Sequence, residues 1–180
     1  MYEPQEDSEF LSGILKKVIK KYNPETFLDM GCGSCIQSRT AIKAGIKKPD
    51  ILAVDISEKA LKQAEKLEIK AKKSNLFSKI KKQEKFDLIV FNPPYLPEDE
   101  HDKGKDTTGG KHGYETIQRF LKNAKKHLTN KGKILLLFSS LTKPEKIKQI
   151  LKKYKYKYKK LAEKNLFMEK LYIHLIENLR

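Results

Sequence analysis

An asparagine, two prolines and a tyrosine, Asn92-Pro93-Pro94-Tyr95, stand directly after the apolar run Phe86-Asp87-Leu88-Ile89-Val90-Phe91. A buried strand would therefore deliver Asn92 onto a stiff corner. Each proline fixes φ near about −65° and supplies no N–H, and the residue before a proline is pushed out of the helical region. Such a corner is rich in acceptors. The Asn92 side-chain oxygen and the Pro93 carbonyl could together take both hydrogens of a planar –NH2 group and hold it in front of a methyl donor, with Pro94 stiffening the turn and Tyr95 walling the pocket. The tetrapeptide alone does not say whose –NH2 this is.

The elements that must position this corner begin about sixty residues earlier. Thr26-Phe27-Leu28-Asp29-Met30-Gly31-Cys32-Gly33-Ser34-Cys35 reads as a strand ending in a glycine-containing loop before a helix, the nucleotide end of a Rossmann-like unit. Gly31 and Gly33 allow a tight turn and a close approach of ligand to backbone. A second strand, Ile51-Leu52-Ala53-Val54-Asp55, ends on an acid 24 residues after Gly31, close to the spacing at which a carboxylate meets ribose hydroxyls in such folds. Each signal is weak alone; the three in this order and spacing are specific.

Together they resemble the class I S-adenosylmethionine (SAM) dependent methyltransferases, and Asn-Pro-Pro-Tyr is similar to the branch acting on planar nitrogens. Tyr2-Glu3-Pro4-Gln5-Glu6-Asp7-Ser8, followed by Phe10-Leu11, resembles the entry motif of the HemK-like glutamine methyltransferases of archaea and eukaryotes, which modify the Gly-Gly-Gln motif of peptide-chain release factors. Gly109-Gly110-Lys111-His112-Gly113-Tyr114-Glu115, leading through Ile117 to Arg119-Phe120, is similar to that family's glycine-rich segment after the catalytic loop. The resemblance covers nearly the whole chain. It implies an α/β fold with a seven-stranded, mostly parallel sheet, a C-terminal antiparallel hairpin and helices on both faces. It further implies SAM as cofactor, a release factor as protein substrate, and a small zinc-binding activator protein that adds a strand to the sheet edge. Carried over by position, Ser8 approaches the cofactor, Asp29 and Gly31 line its amino acid end beside Gly33, Asp55 holds the ribose, Asn75 takes the adenine position and Asn92 the methyl end. Three departures stand out: Asn75 where the family usually has an aspartate, Cys35 where a third glycine is common, and Thr107 near where a tryptophan often stands. Bacterial relatives carry an extra helical N-terminal domain, for which the 25 residues before the first strand leave no room.

Composition points to one domain over residues 1–180, since that length at 38% hydrophobic residues supports a sizeable core. The longest wholly apolar run, Ile134 to Phe138, falls far short of the roughly 20 residues a spanning helix needs, and the N-terminus lacks a signal-peptide pattern, so a cytoplasmic protein is expected, without membrane association. Cys32 and Cys35 form a C-x-x-C, read here as small residues packed in the glycine loop rather than as a redox or zinc pair. No metal site is expected; the acidic cluster Glu98-Asp99-Glu100-Asp102 reads as a solvated loop. His101 and His112 read as solvated loop residues, His127 as a partner of a helix C-terminal dipole, and His174 as a structural histidine in an apolar strand.

The coarse pattern alternates helix and strand. Helices are expected over residues 9–21, from 36, over 58–66 with Ser57 as N-cap, over 115–128, and over 144–154 with Pro144 in the first turn. A short strand is expected near 69–73, a buried strand over 132–139, and a closing hairpin in which Tyr154, Tyr156 and Tyr158 alternate with lysines opposite residues 171–176. The polar loop over residues 96–111 is expected to cover the substrate. A formal charge of +16 favours polyanionic partners, so methylation of an exocyclic amine of adenine or guanine in RNA or DNA is the second reading. Against it, the chain has only three arginines, Arg39, Arg119 and Arg180, and its lysines are spread over almost every element. A non-catalytic SAM-fold scaffold subunit is a third reading, disfavoured by the intact set of Asp29, Gly31, Asp55 and Asn92.

Overall fold

A computed structural model describes residues 6–95 and 109–179. Within them one sheet runs through seven strands in the order β3-β2-β1-β4-β5-β7-β6. In chain order these are β1 (Phe27–Met30), β2 (Ile51–Asp55), β3 (Lys70–Lys73), β4 (Phe86–Phe91), β5 (Leu128–Ser139), β6 (Tyr156–Asn165) and β7 (Lys170–Asn178). The first five are parallel to one another, and β7 lies antiparallel between β5 and β6. The expected fold class, mostly parallel with a C-terminal antiparallel hairpin, is therefore the one observed.

Side chains alternate across the sheet with period two, and the two faces find different helices. Leu28, Met30, Ile89, Phe91, Ile134 and Leu136 pack under α4 (Glu115–Ala124) and α5 (Pro144–Lys153), through Ile117, Phe120, Ile147 and Leu151. Phe27, Ile51, Ala53, Leu88, Val90 and Leu135 face α1 (Glu6–Tyr22), α2 (Ile36–Lys43) and α3 (Glu58–Lys66), through Leu11, Leu15, Ala41 and Ala60. Strands β1 and β4 are buried on both faces, which is why they read as continuous apolar runs rather than alternating ones.

Several boundaries differ from expectation for identifiable reasons. The helix expected over 115–128 stops at Ala124; a 3-10 turn follows, and β5 opens at Leu128, paired with Phe86, ahead of the expected start at 132. Register shifts between Phe86 and Leu88, so these opening residues sit beyond an irregularity that hides them from a period-two pattern. Tyr154 belongs to the C-cap of α5 rather than to the hairpin, while Tyr156 is buried and Tyr158 stacks on His174. Ser57 does precede α3, though without a side-chain capping bond. His127 is not a cation at a helix end: burial holds its pKa below the usual value, and the neutral ring bonds the Glu84 carbonyl and stacks on Phe77. His112 is tied to Glu115 at the start of α4 rather than freely solvated. His101, Thr107, the acidic cluster at 98–102 and most of the covering loop lie outside the described residues. No helix among the described residues is long and apolar enough to cross a membrane.

Candidate active site

In an open parallel sheet, ligands bind beyond the carboxyl ends of the strands, where the strand order reverses. Here β1 is flanked by β2 and β4, so the loops after β1, β2 and β4 meet at one place. A cavity of about 470 Å³ opens there, within the roughly 300–1,000 Å³ usual for small-molecule sites. Its lining includes Ser8, Asp29, Gly31, Gly33, Asp55, Asn75, Asn92, Pro93, Pro94 and Tyr95, the residues given catalytic or cofactor-binding roles from the sequence.

The glycine loop owes its shape to two carboxylates. Asp29, near the end of β1, accepts from both the backbone N–H and the hydroxyl of Ser38, at 3.0 and 2.6 Å, which fixes the first turns of α2 against the strand. Burial nevertheless dominates and raises the Asp29 pKa to about 7, with nearby Asp55 adding to the rise and the Ser38 bonds opposing it. Asp55 accepts from the N–H groups of Gly33 and Ser57, at 3.0 and 2.9 Å, bracing the loop against the end of β2. Each of its oxygens keeps a second lone pair for a hydroxyl. Gly31 has φ of +64°, and a Cβ there would lie 3.4 Å from the ring of Phe91, the last residue of β4.

Cys35 adopts a left-handed φ of 59° at the N-cap of α2. The backbone there is one that a glycine takes freely, while an L side chain gives up about 1–2 kcal/mol. Both cysteines are free and buried. The Cys32 thiol is held well above its ordinary pKa by its hydrogen bond with Cys35 and by burial, which keeps it protonated and unreactive.

The asparagine corner is oriented from the other end of the chain. Asn92 Nδ2 donates to Asp7 Oδ2 at 3.2 Å and to Ser8 Oγ at 3.3 Å. Its other end, Oδ1, is buried and has no hydrogen-bond partner among the described residues. Asp7 is itself only 3% exposed, accepts from the Ser8 N–H at 2.6 Å, and receives the Tyr95 hydroxyl at 3.4 Å. Burial and the Asp7 and Glu169 carboxylates push the Tyr95 pKa upward, so its hydroxyl stays a donor. The first turn of α1 is pinned where it can do this: Gln37 of α2 donates to the Ser8 carbonyl at 2.9 Å and accepts from Ser12 at 3.2 Å.

Beyond the corner, Gly109 fits where nothing larger could. A Cβ on it would lie 2.2 Å from the Gly113 carbonyl oxygen and 2.8 Å from that of Pro94. The glycine-rich segment therefore closes directly on the diproline turn. Sequence reasoning assigned no role to Asp7, Ile56, Arg119 or Glu169, all of which line the cavity. Asp7 stood in the entry motif with no role of its own; Glu169 had no local signal at all.

A family model for the methyltransferase small domain matches residues 7–168. The chain belongs to the methyltransferase small domain family. Among curated relatives, it is 37% identical over 153 residues to a protein of Methanocaldococcus jannaschii provisionally named as a protein N5-glutamine methyltransferase, covering 79% of this chain and 74% of that one. It is 32% identical over 149 residues to the release factor glutamine methyltransferase of Fusobacterium nucleatum, covering 78% of this chain but only 38% of that relative's length. Among solved structures, the E. cuniculi Mtq2–Trm112 complex, responsible for methylation of the eRF1 translation termination factor, matches with a TM-score of 0.80 at 25% identity, covering 98% of both chains.

The cavity suits the family's cofactor. Gly31 and Gly33 line it without side chains, Asp29 and Asp55 offer acids suited to a cationic amino acid end and to ribose hydroxyls, and Ile56, 51% exposed beside Asp55, presents an apolar face suited to a flat base.

Proposed function

We propose that this chain methylates the side-chain amide nitrogen of a protein glutamine, the Gly-Gly-Gln glutamine of a peptide-chain release factor, with SAM as the donor. One observation carries the reading. The Asn92 amide is held by its nitrogen end, through Asp7 and Ser8, which leaves a buried, unpartnered acceptor in a cavity otherwise suited to the cofactor. A buried carbonyl oxygen without a donor costs about 1–3 kcal/mol, and a substrate –NH2 group would remove that penalty.

When bound, SAM would supply an electrophilic methyl on a sulfonium, the broken carbon–sulfur pair remaining on sulfur as a neutral thioether leaving group. The chain supplies orientation. Asn92 Oδ1 accepts one amide hydrogen and the Pro93 carbonyl the other, fixing the plane of the group and favouring the positive charge that develops on nitrogen. The nitrogen supplies the electron pair of the new bond and sheds its surplus proton only as or after that bond forms, so placement matters more than a strong base. Asp7 keeps Asn92 from rotating, and Tyr95 closes the wall beside it.

Transfer to a purine amine would use the same acceptors, but the charge of the site disfavours a polyanion. Its described lining carries Asp7, Asp29, Asp55 and Glu169 against the single cation Arg119. The Mtq2 neighbour forms a complex with Trm112; we extend to this chain a small, zinc-binding activator subunit adding its strand at the β3 edge. Unchanged solubility and activity on coexpression would count against that partner.

The central test is mass mapping of release factor incubated with the protein and labelled SAM. Methylation of the Gly-Gly-Gln glutamine is expected, and Asn92→Ala should lower turnover roughly 10²-fold or more with cofactor binding retained. Asp7→Ala, which leaves the amide held only by Ser8, should cost less in turnover. Normal methylation by Asn92→Ala would refute the assigned role.

A further inference from the structure

The antiparallel placement of β7 has a consequence for substrate capture. Because β7 runs against β5, with Leu171 opposite Ser139 at the carboxyl end of β5, the turn between β6 and β7 lies at the same end of the sheet as the cavity. In that turn Glu169 faces inward, lining the cavity and accepting from the Ser139 hydroxyl, and Leu166 packs into the apolar cluster that Tyr95 also joins. Between them, Phe167 is 100% exposed and Met168 82% exposed, the two most exposed large apolar side chains among the described residues.

The turn that presents them is anchored on several sides. Leu166 N–H donates to the Glu169 carbonyl at 2.8 Å, Lys170 N–H to the Ser140 hydroxyl at 3.0 Å, and Lys164 pairs with Glu6 of α1 at 3.3 Å. Two apolar side chains held in water on a braced support, at the rim of a reaction cavity, have the character of interface anchors.

We propose that Phe167 and Met168 form a docking prong for the folded protein substrate, gripping apolar surface beside the loop that carries the target glutamine. This rests on the glutamine reading above. A glutamine reaching Asn92 brings its own protein up to the cavity rim, and the prong is continuous with that rim through Glu169. A lipid surface fits less well, because the adjacent lysines are engaged within the molecule, Lys164 with Glu6 and Lys170 with Glu163.

The test compares wild type with a Phe167→Ser, Met168→Ser double variant on two substrates, intact release factor and a short Gly-Gly-Gln peptide, together with SAM binding. The variant should show a KM for the intact protein raised roughly tenfold, at unchanged kcat, while its SAM affinity and its kinetics on the peptide stay those of wild type. Equal KM for the intact protein overturns the prong, as does a parallel loss on both substrates, which would mean a disturbed cavity. A variant whose only change is loss of wild-type self-association also overturns it, by assigning the surface to a second copy of the chain. Failure of the glutamine reading itself shows differently: wild type binds SAM yet methylates neither substrate.

Discussion

The two ends of the Asn92 amide stand in different circumstances, and the difference separates positioning from chemistry. Its nitrogen is spent on Asp7 and Ser8, while its buried oxygen has no partner among the described residues. Sequence made Asn92, Asp55 and the glycines legible because each belongs to a short motif with its own backbone logic. It could not show that Asp7 holds Asn92 across 85 positions, since nothing local marks such a contact. Asp29 carries a prediction of its own. Its folded pKa near 7 exceeds its ordinary 3.8, so between about pH 4 and 7 the native state keeps a proton that the unfolded chain has released. Stability should therefore fall as pH rises through that window, and Asp29→Asn should flatten the slope. Denaturant midpoints measured from pH 4 to 8 for both proteins check this.

At the scale of elements, the diproline turn is supported from behind by the glycine-rich segment. Thr116 N–H donates to the Gly109 carbonyl at 3.0 Å, joining that segment to the first turn of α4. Gly109→Ala would force its Cβ into backbone on two sides, so the Pro94 carbonyl or the Gly113 turn must move. Since a displacement of about 1 Å at a positioning group can cost on the order of 10²-fold in rate, kcat should drop by a factor of that order. Far-UV circular dichroism and SAM titration should remain near wild type, and steady-state kinetics would reveal the loss. The same scale shows where patterns mislead. Helices were readable from their period and the buried strands from their continuous apolar runs, whereas the early start of β5 depended on a pairing with Phe86 far back along the chain.

At the scale of the whole molecule, the described lining of the cavity carries four acids, Asp7, Asp29, Asp55 and Glu169, against one arginine, so a net charge of +16 does not describe the cavity. At the sheet's end, β3 pairs only with β2 among the described residues and reads Lys70-Ala71-Lys72-Lys73, with Lys72 and Lys73 paired to Glu84 and Glu58. Charges on an open edge oppose strand addition by other copies. Lys70→Val combined with Lys73→Val should raise self-association, visible by light scattering at increasing protein concentration.

Glu169, in the turn before β7, completes a wall that Asp7 begins in the first turn of α1. During synthesis, the early helix must wait for nearly everything after it before its partner across the opening exists. A nascent chain halted before β7 emerges would hold the asparagine corner yet lack one side of the chamber, and long-range closure of this kind comes late in folding. Competence for transfer should thus switch on abruptly once β7 has left the ribosome, instead of accumulating as the polypeptide lengthens.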